Sequence, residues 1–104
     1  MIRVNVTYAN KEGARFDFDY YVNRHIKMVR ERCGPFGLQS VTVDRGVSGV
    51  APGSPATYAC VASLTFASLE GLQQALAAHG AEIMADIPNY TDIVPVIQVS
   101  EILV

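Results

Sequence analysis

The amino-acid sequence predicts an α+β fold in which a four-stranded antiparallel sheet carries two helices on one face, and three observations predict it. IRVNVTY, residues 2–8, alternates apolar and polar side chains as a half-buried strand does. FDFDYYVNRHIKMVRERCG, residues 16–34, instead spaces its apolar residues at helical intervals. Along the chain the segments follow in the order strand, helix, strand, strand, helix, strand, and 104 residues suit a single domain, residues 1–104.

The first strand turns Ile2, Val4, Val6 and Tyr8 to one side and Arg3, Asn5 and Thr7 to the other. A polar turn, ANKEGAR, leads to a helix over residues 17–33. Asp17 suits its N-cap, Phe16 can staple onto Tyr21, and Gly34 followed by Pro35 stops it. LQSVTVDRG, residues 38–46, and ATYACVASLTF, residues 56–66, read as the second and third strands. The segment between them, GVSGVAPGSP, is dense in Gly and Pro and predicts a long mobile loop able to serve as a lid or an interface arm. Ser68 caps a second helix that keeps Leu69, Leu72, Leu76, His79 and Ile83 in register to Ala85, and Pro88 closes it. YTDIVPVIQVSEIL, residues 90–103, is the last strand, with Pro95 marking an edge or a bulge. This βαββαβ order is that of the ferredoxin-like unit.

Two helices cover only one face of such a sheet. On the third strand Tyr58, Cys60, Ala62, Leu64 and Phe66 alternate with Ala59, Val61, Ser63 and Thr65. On the last, Ile93, Ile97 and Val99 oppose Val94, Val96 and Ile102, so the second face also reads as apolar. A self-complementary apolar face closes under twofold symmetry, which predicts a homodimer packed sheet against sheet. A monomer with a half-polar open face is the alternative.

Composition narrows the partners. The net charge is −2, and the basic residues Arg24, Lys27, Arg30 and Arg32 on the first helix are interleaved with Glu31, a solvated face rather than the unbalanced basic stripe that nucleic acid needs. MIRVNVTY carries no charged leader before a long apolar run, and no window approaches the length of a membrane helix, so a cytoplasmic protein without membrane contact is expected. Cys33 and Cys60 have no CxxC spacing and read as reduced core residues; no metal site and no bound cofactor are expected. Phosphate loops, dinucleotide fingerprints and nucleophile elbows are absent, which leaves hydride chemistry unsupported.

The candidate site centres on His25. At 100° per residue Phe18, Val22, His25 and Val29 share one arc, flanked by Tyr21 and Met28 on one side and Ile26 and Cys33 on the other. An inward imidazole among apolar groups is held neutral, with one nitrogen donating and the other accepting, the form a general base requires. A core histidine satisfied by one hydrogen bond is the competing reading. Tyr21 shares the histidine's arc, whereas Tyr20 lies one step round the helix; a tyrosine there offers an apolar ring and a hydroxyl anchor. Tyr90 and Asp92, in NYTD, share one face of the last strand, and Asp92 is the candidate carboxylate to orient the imidazole, unless it belongs to a turn. His25, Tyr21 and Asp92 are thus the catalytic candidates and Tyr21, His25, Met28 and Tyr90 the ligand-binding ones. His79 is assigned no role.

The tyrosine pair followed four residues after its second member by histidine, in FDFDYYVNRHIKMV, together with the closing YTDIVPVIQVSEI, resembles the EthD family, named for ethyl tert-butyl ether degradation and part of the dimeric α+β barrel group. The resemblance covers nearly the whole chain. It implies a homodimeric barrel whose subunits each hold a cleft between helices and sheet, lined at Tyr21, His25, Tyr90 and Asp92. It also implies kinship in fold with small cofactor-free monooxygenases, cyclases and haem-handling barrels. The resulting expectation is a protein that binds or transforms a small apolar or aromatic compound, a cofactor-independent oxidoreductase or cyclase-like enzyme. The alternatives are a non-catalytic accessory protein of an oxidase system and a haem-binding barrel with His25 as axial ligand.

Overall fold

Alternation along the strands becomes a sheet with one greasy side. In the computed structural model, which describes residues 1–104, β1 (Ile2–Ala9) lies between β3 (Tyr58–Phe66) and β4 (Val96–Glu101), and β2 (Leu38–Arg45) pairs with the far edge of β3. The order is β2-β3-β1-β4 and every pair is antiparallel. Helix α1 occupies residues 18–33 and helix α2 is Leu69–Ala85. The fold is the ferredoxin-like α+β unit. The register fixes the covered face: Val4 pairs with Leu64 and Val99, and Val6 with Ala62 and Ile97, while Val41 and Val43 extend the same rows. Against this face pack two clusters, one of Tyr8, Tyr21, Ile26, Cys60, Ala62, Tyr90 and Ile93, the other of Val4, Val29, Cys33, Phe66, Leu72 and Ala75.

Three features depart from the expectations. First, α1 is not uniform. Asp17 caps it, its Oδ1 accepting the Tyr20 N–H at 3.0 Å, but after Phe18–Tyr20 the helix widens into a π turn over Tyr21–His25 before the α-helix resumes at Ile26–Cys33. Ile26 N–H bonds the Tyr21 carbonyl, five residues back. A wider turn rotates the residues upstream of it, so Val22, expected inside, is 47% exposed, and Tyr21 takes the inward place above His25.

Second, β4 is shorter than residues 90–103. Pro95 has no N–H to give a ladder, and residues 90–95 are tied down by side chains instead. The Thr91 hydroxyl donates to the Arg15 carbonyl at 2.6 Å and accepts the Ile93 N–H at 3.1 Å, and Thr91 makes an isolated bridge with Phe16.

Third, the helix-free face is not the apolar surface expected. Ile97 and Val99 point to the helices; opposite them Gln98 and Ser100 join Arg3, Asn5, Thr7, Ser63 and Thr65, with only Val61 and Val96 as larger apolar groups. Asn5 donates to the Ser63 hydroxyl across this face at 3.0 Å. Val96 is exposed on this face, but the most exposed apolar side chains lie elsewhere, on the 46–57 arm (Val47, Val50), before β4 (Val94) and at Leu103 and Val104.

Helix α2 touches the sheet through one turn. Ser68 caps it by accepting the Gly71 N–H at 3.0 Å, and a Cβ at position 71 would be driven into the Phe36 carbonyl oxygen, so the helix start is held close by glycine. Leu72 and Ala75 are buried, but Leu76 and Met84 are half-exposed. The later turns therefore stand off β1 and β4, and a hollow remains between them.

Candidate functional site

The hollow is a cavity of about 140 Å³ between the two helices and the covered face of the sheet. Its walls are aliphatic along Leu72, Leu76, Met84, Ile97 and Val99, and aromatic around Tyr21 and Tyr90, with His25 between the aromatic rings. The Tyr21 ring stacks on the imidazole at 5.4 Å and 14°, and Tyr90 lies 4.8 Å from it at 53°. Tyr21 and His25 are the first and last residues of the π turn, about one helical turn apart. Tyr90 itself is held by a 2.7 Å hydrogen bond between its hydroxyl and that of Tyr8.

His25 is 5% exposed, and its Nδ1 lies 2.9 Å from Asp86 Oδ2. Asp86 stands at the C-terminal end of α2, just before the 3-10 turn Ile87–Asn89. Its Oδ1 accepts the Tyr20 hydroxyl at 2.6 Å and the Asn89 side-chain amide at 2.9 Å. Partial desolvation pushes this carboxyl up, but the hydrogen bonds from Tyr20, Asn89 and His25 together outweigh it and hold it below its ordinary value, so it is a carboxylate. Burial pushes the imidazole the other way, below its ordinary value, and the Asp86 bond only partly offsets that. At neutral pH the pair is therefore a neutral imidazole beside an anionic carboxylate. Because the carboxylate can only accept, Nδ1 carries the proton and Nε2 the lone pair.

Nε2 has no protein partner, and no sealed side-chain polar atom of the protein is left unpartnered, so Nε2 is accessible, on a residue that lines the cavity. The phenols around it stay protonated: burial pushes Tyr21, Tyr90 and Tyr8 above the ordinary tyrosine range. The arrangement supplies one proton acceptor, backed by a negative charge and surrounded by apolar walls and neutral hydroxyls.

Of the residues singled out in the sequence, the structure brings His25, Tyr21 and Tyr90 together at the cavity. Met28 lies outside it, half-buried on the solvent side of α1 beside Asn23, Arg24 and Lys27, because the inward arc after the π turn runs through Ile26, Val29 and Cys33. Asp92 does not reach the imidazole either. It is exposed and its Oδ1 accepts the Arg15 N–H at 2.9 Å, the turn role. The carboxylate at His25 is Asp86, 61 residues away in the chain. One signal for it was present: a carboxylate at a helix C-terminus faces the negative end of the macrodipole and is misplaced there unless something else holds it. Tyr20, set aside by helical spacing, contributes its hydroxyl to Asp86 and stacks its ring on Tyr90 at 6.3 Å and 22°.

No three His, Cys, Asp or Glu side chains converge anywhere in the protein, so His25 and Asp86 form a pair and not part of a metal donor set. A porphyrin does not fit. At about 140 Å³ the cavity is well short of the roughly 300–1,000 Å³ of pockets for drug-sized ligands. No helix is long and apolar enough to cross a membrane.

Fold and site together define a small ferredoxin-like protein with an apolar hollow and a carboxylate-oriented histidine opening into it. The chain belongs to the EthD family: the EthD domain matches residues 13–93. An EthD-like protein from Ralstonia eutropha is 46% identical, with 99% of this chain and 92% of that one covered and a TM-score of 0.93. An EthD family protein from Bacillus halodurans is 23% identical over 99% of both chains at a TM-score of 0.67. A dimeric ferredoxin-like protein from an uncultured marine organism shares the fold at 12% identity, covering 100% of this chain and 96% of its own, with a TM-score of 0.51. No curated protein matches the chain.

Proposed function

We propose that this protein binds a small apolar or aromatic compound in the cavity and that His25 Nε2 acts on it as a general base or polar anchor. The observation that carries this reading is the imidazole itself: one nitrogen committed to Asp86, the other unpartnered, on a residue that lines an otherwise apolar hollow. In a proton abstraction the substrate's O–H or activated C–H bond breaks, its electron pair stays on the substrate, and the proton goes to Nε2. The imidazolium so formed lies against Asp86, whose negative charge stabilises it. Tyr21 lies beside the base as the hydroxyl donor to a negative charge developing on the substrate. The family name supports a place in the breakdown of a small organic compound, and two free, buried cysteines support a reducing, cytoplasmic setting.

Toluene titration followed in ¹H–¹⁵N NMR spectra tests the cavity, and His25→Ala and Asp86→Asn test the pair. Toluene should shift the resonances of cavity residues. His25→Ala should abolish turnover of the natural compound, once captured by mass spectrometry of copurified ligand, with the assembly state unchanged. A substitution that moves only the melting temperature and leaves every ligand response intact makes the histidine structural.

We further propose a homodimer. One copy buries only 15 of its 104 residues although half of the chain is hydrophobic, and one fold relative is described as dimeric.

A further inference from the structure

We infer that the cavity selects a neutral, single-ring aromatic compound bearing a hydroxyl, a phenol, whose O–H donates to His25 Nε2. This rests on the reading above that the hollow is a small-molecule site, and narrows it to a chemical class.

Four observations converge on that class. The volume, about 140 Å³, matches one ring: an apolar cavity of about 150 Å³ holds benzene. The imidazole is flanked by the Tyr21 and Tyr90 rings, a setting in which another ring packs face to edge or offset. Nε2 is an acceptor, because the Nδ1–H donates its hydrogen bond to Asp86, so the ligand must bring the donor. Finally, no Lys or Arg lines the cavity and Asp86 lies behind the histidine, so a carboxylate, a phosphate or a phenolate would be buried without a counter-charge. A hydroxyl on an aromatic ring meets all four demands, and as a stronger donor than an aliphatic alcohol it makes the better bond to a carboxylate-backed imidazole.

The class has a consequence of sign. On water-to-oil transfer alone, toluene and anisole enter an apolar hollow more readily than phenol does. A site that prefers phenol must therefore gain from its hydroxyl, and a bond that otherwise leaves Nε2 unpaired is large enough to invert the order.

The test is binding of phenol, anisole, toluene and cyclohexanol to the full chain at neutral pH, by calorimetry and by NMR shift of His25. Phenol should bind about tenfold more tightly than anisole or toluene, and more tightly than cyclohexanol. In His25→Phe, which keeps a ring in place, and in His25→Ala, phenol should lose that lead and toluene should match or pass it. If toluene and anisole bind wild type as well as phenol does, or if phenol keeps its lead in both variants, the phenol assignment is wrong while the small-molecule reading stands. If none of the four binds, both fall.

Discussion

At residue scale His25 enters the site with one nitrogen already committed, and that fixes how the protein answers to acid. Burial depresses the imidazole below its ordinary value of about 6.5, more than the Asp86 bond raises it. Between the depressed value and 6.5 the unfolded chain binds more proton than the folded one. The stability this group contributes is therefore complete above 6.5 and lost as pH falls from there through the folded value. Asp86, also depressed, acts lower: its contribution is present above the ordinary carboxylate range and disappears as pH falls through its folded value. Urea midpoints of wild type should drop between pH 7 and pH 5, and those of His25→Phe should drop less; equal slopes would locate the acid sensitivity elsewhere. Tyr20→Phe removes one donor from Asp86 and should lower the urea midpoint. The inward histidine was legible because helical periodicity alone orients it. Its carboxylate was not, because the pair joins two helices 61 residues apart and no local pattern encodes that distance.

Among the elements, the strands and helix limits were legible to within two residues except at β4, where alternation persists through residues that Pro95 bars from the ladder. The π turn was not legible. A uniform 100° step treats Val22 as buried and gives no reason to widen the helix; the reason is tertiary, the packing of Tyr21 against Tyr8, Tyr90 and His25. Spacing along α2 likewise gave Leu76 an inward place without revealing that Leu76 and Met84, beyond the buried Ala75, stay half-exposed. The start of the helix is fixed at Gly71, pressed against the Phe36 carbonyl. In an exposed helix Gly→Ala gains roughly 0.5–1 kcal/mol from propensity. Here the added methyl has backbone in its way, so Gly71→Ala should destabilise, by about 1–3 kcal/mol, as overpacking does. A chemical-denaturation curve that shows stabilisation would mean that the helix start moves freely, and that the cavity behind it is not held open from this end.

For the whole molecule, size and exposure disagree with a lone compact copy. The chain exposes 6436 Å², where a monomer of 11.3 kDa is expected to expose about 5,700 Å². Its radius of gyration is 14.1 Å against about 13 Å for a compact chain of this length. The excess, some 700 Å², is close to the roughly 800 Å² that each partner contributes to a standard interface. The helix-free face alone is a poor source of it, being largely Ser, Thr, Asn and Gln, which is where the sequence reading of two apolar faces failed: β4 is apolar on the side the helices cover. The most exposed apolar side chains are on the arm, Val47 and Val50, and at Val94, Leu103 and Val104. A second copy would then be gripped at the rim by apolar side chains while the sheet faces meet through polar groups and water, a wetter contact than an obligate hydrophobic core. Sedimentation should give about twice 11.3 kDa for the wild type at micromolar concentration. Val47→Asp combined with Val50→Asp, both on fully exposed positions that a single copy does not need, should return it to one copy with an unchanged melting curve at the monomer level. A wild type that sediments as one copy defeats the dimer, and a double variant that still pairs moves the grip from the arm to the end of β4.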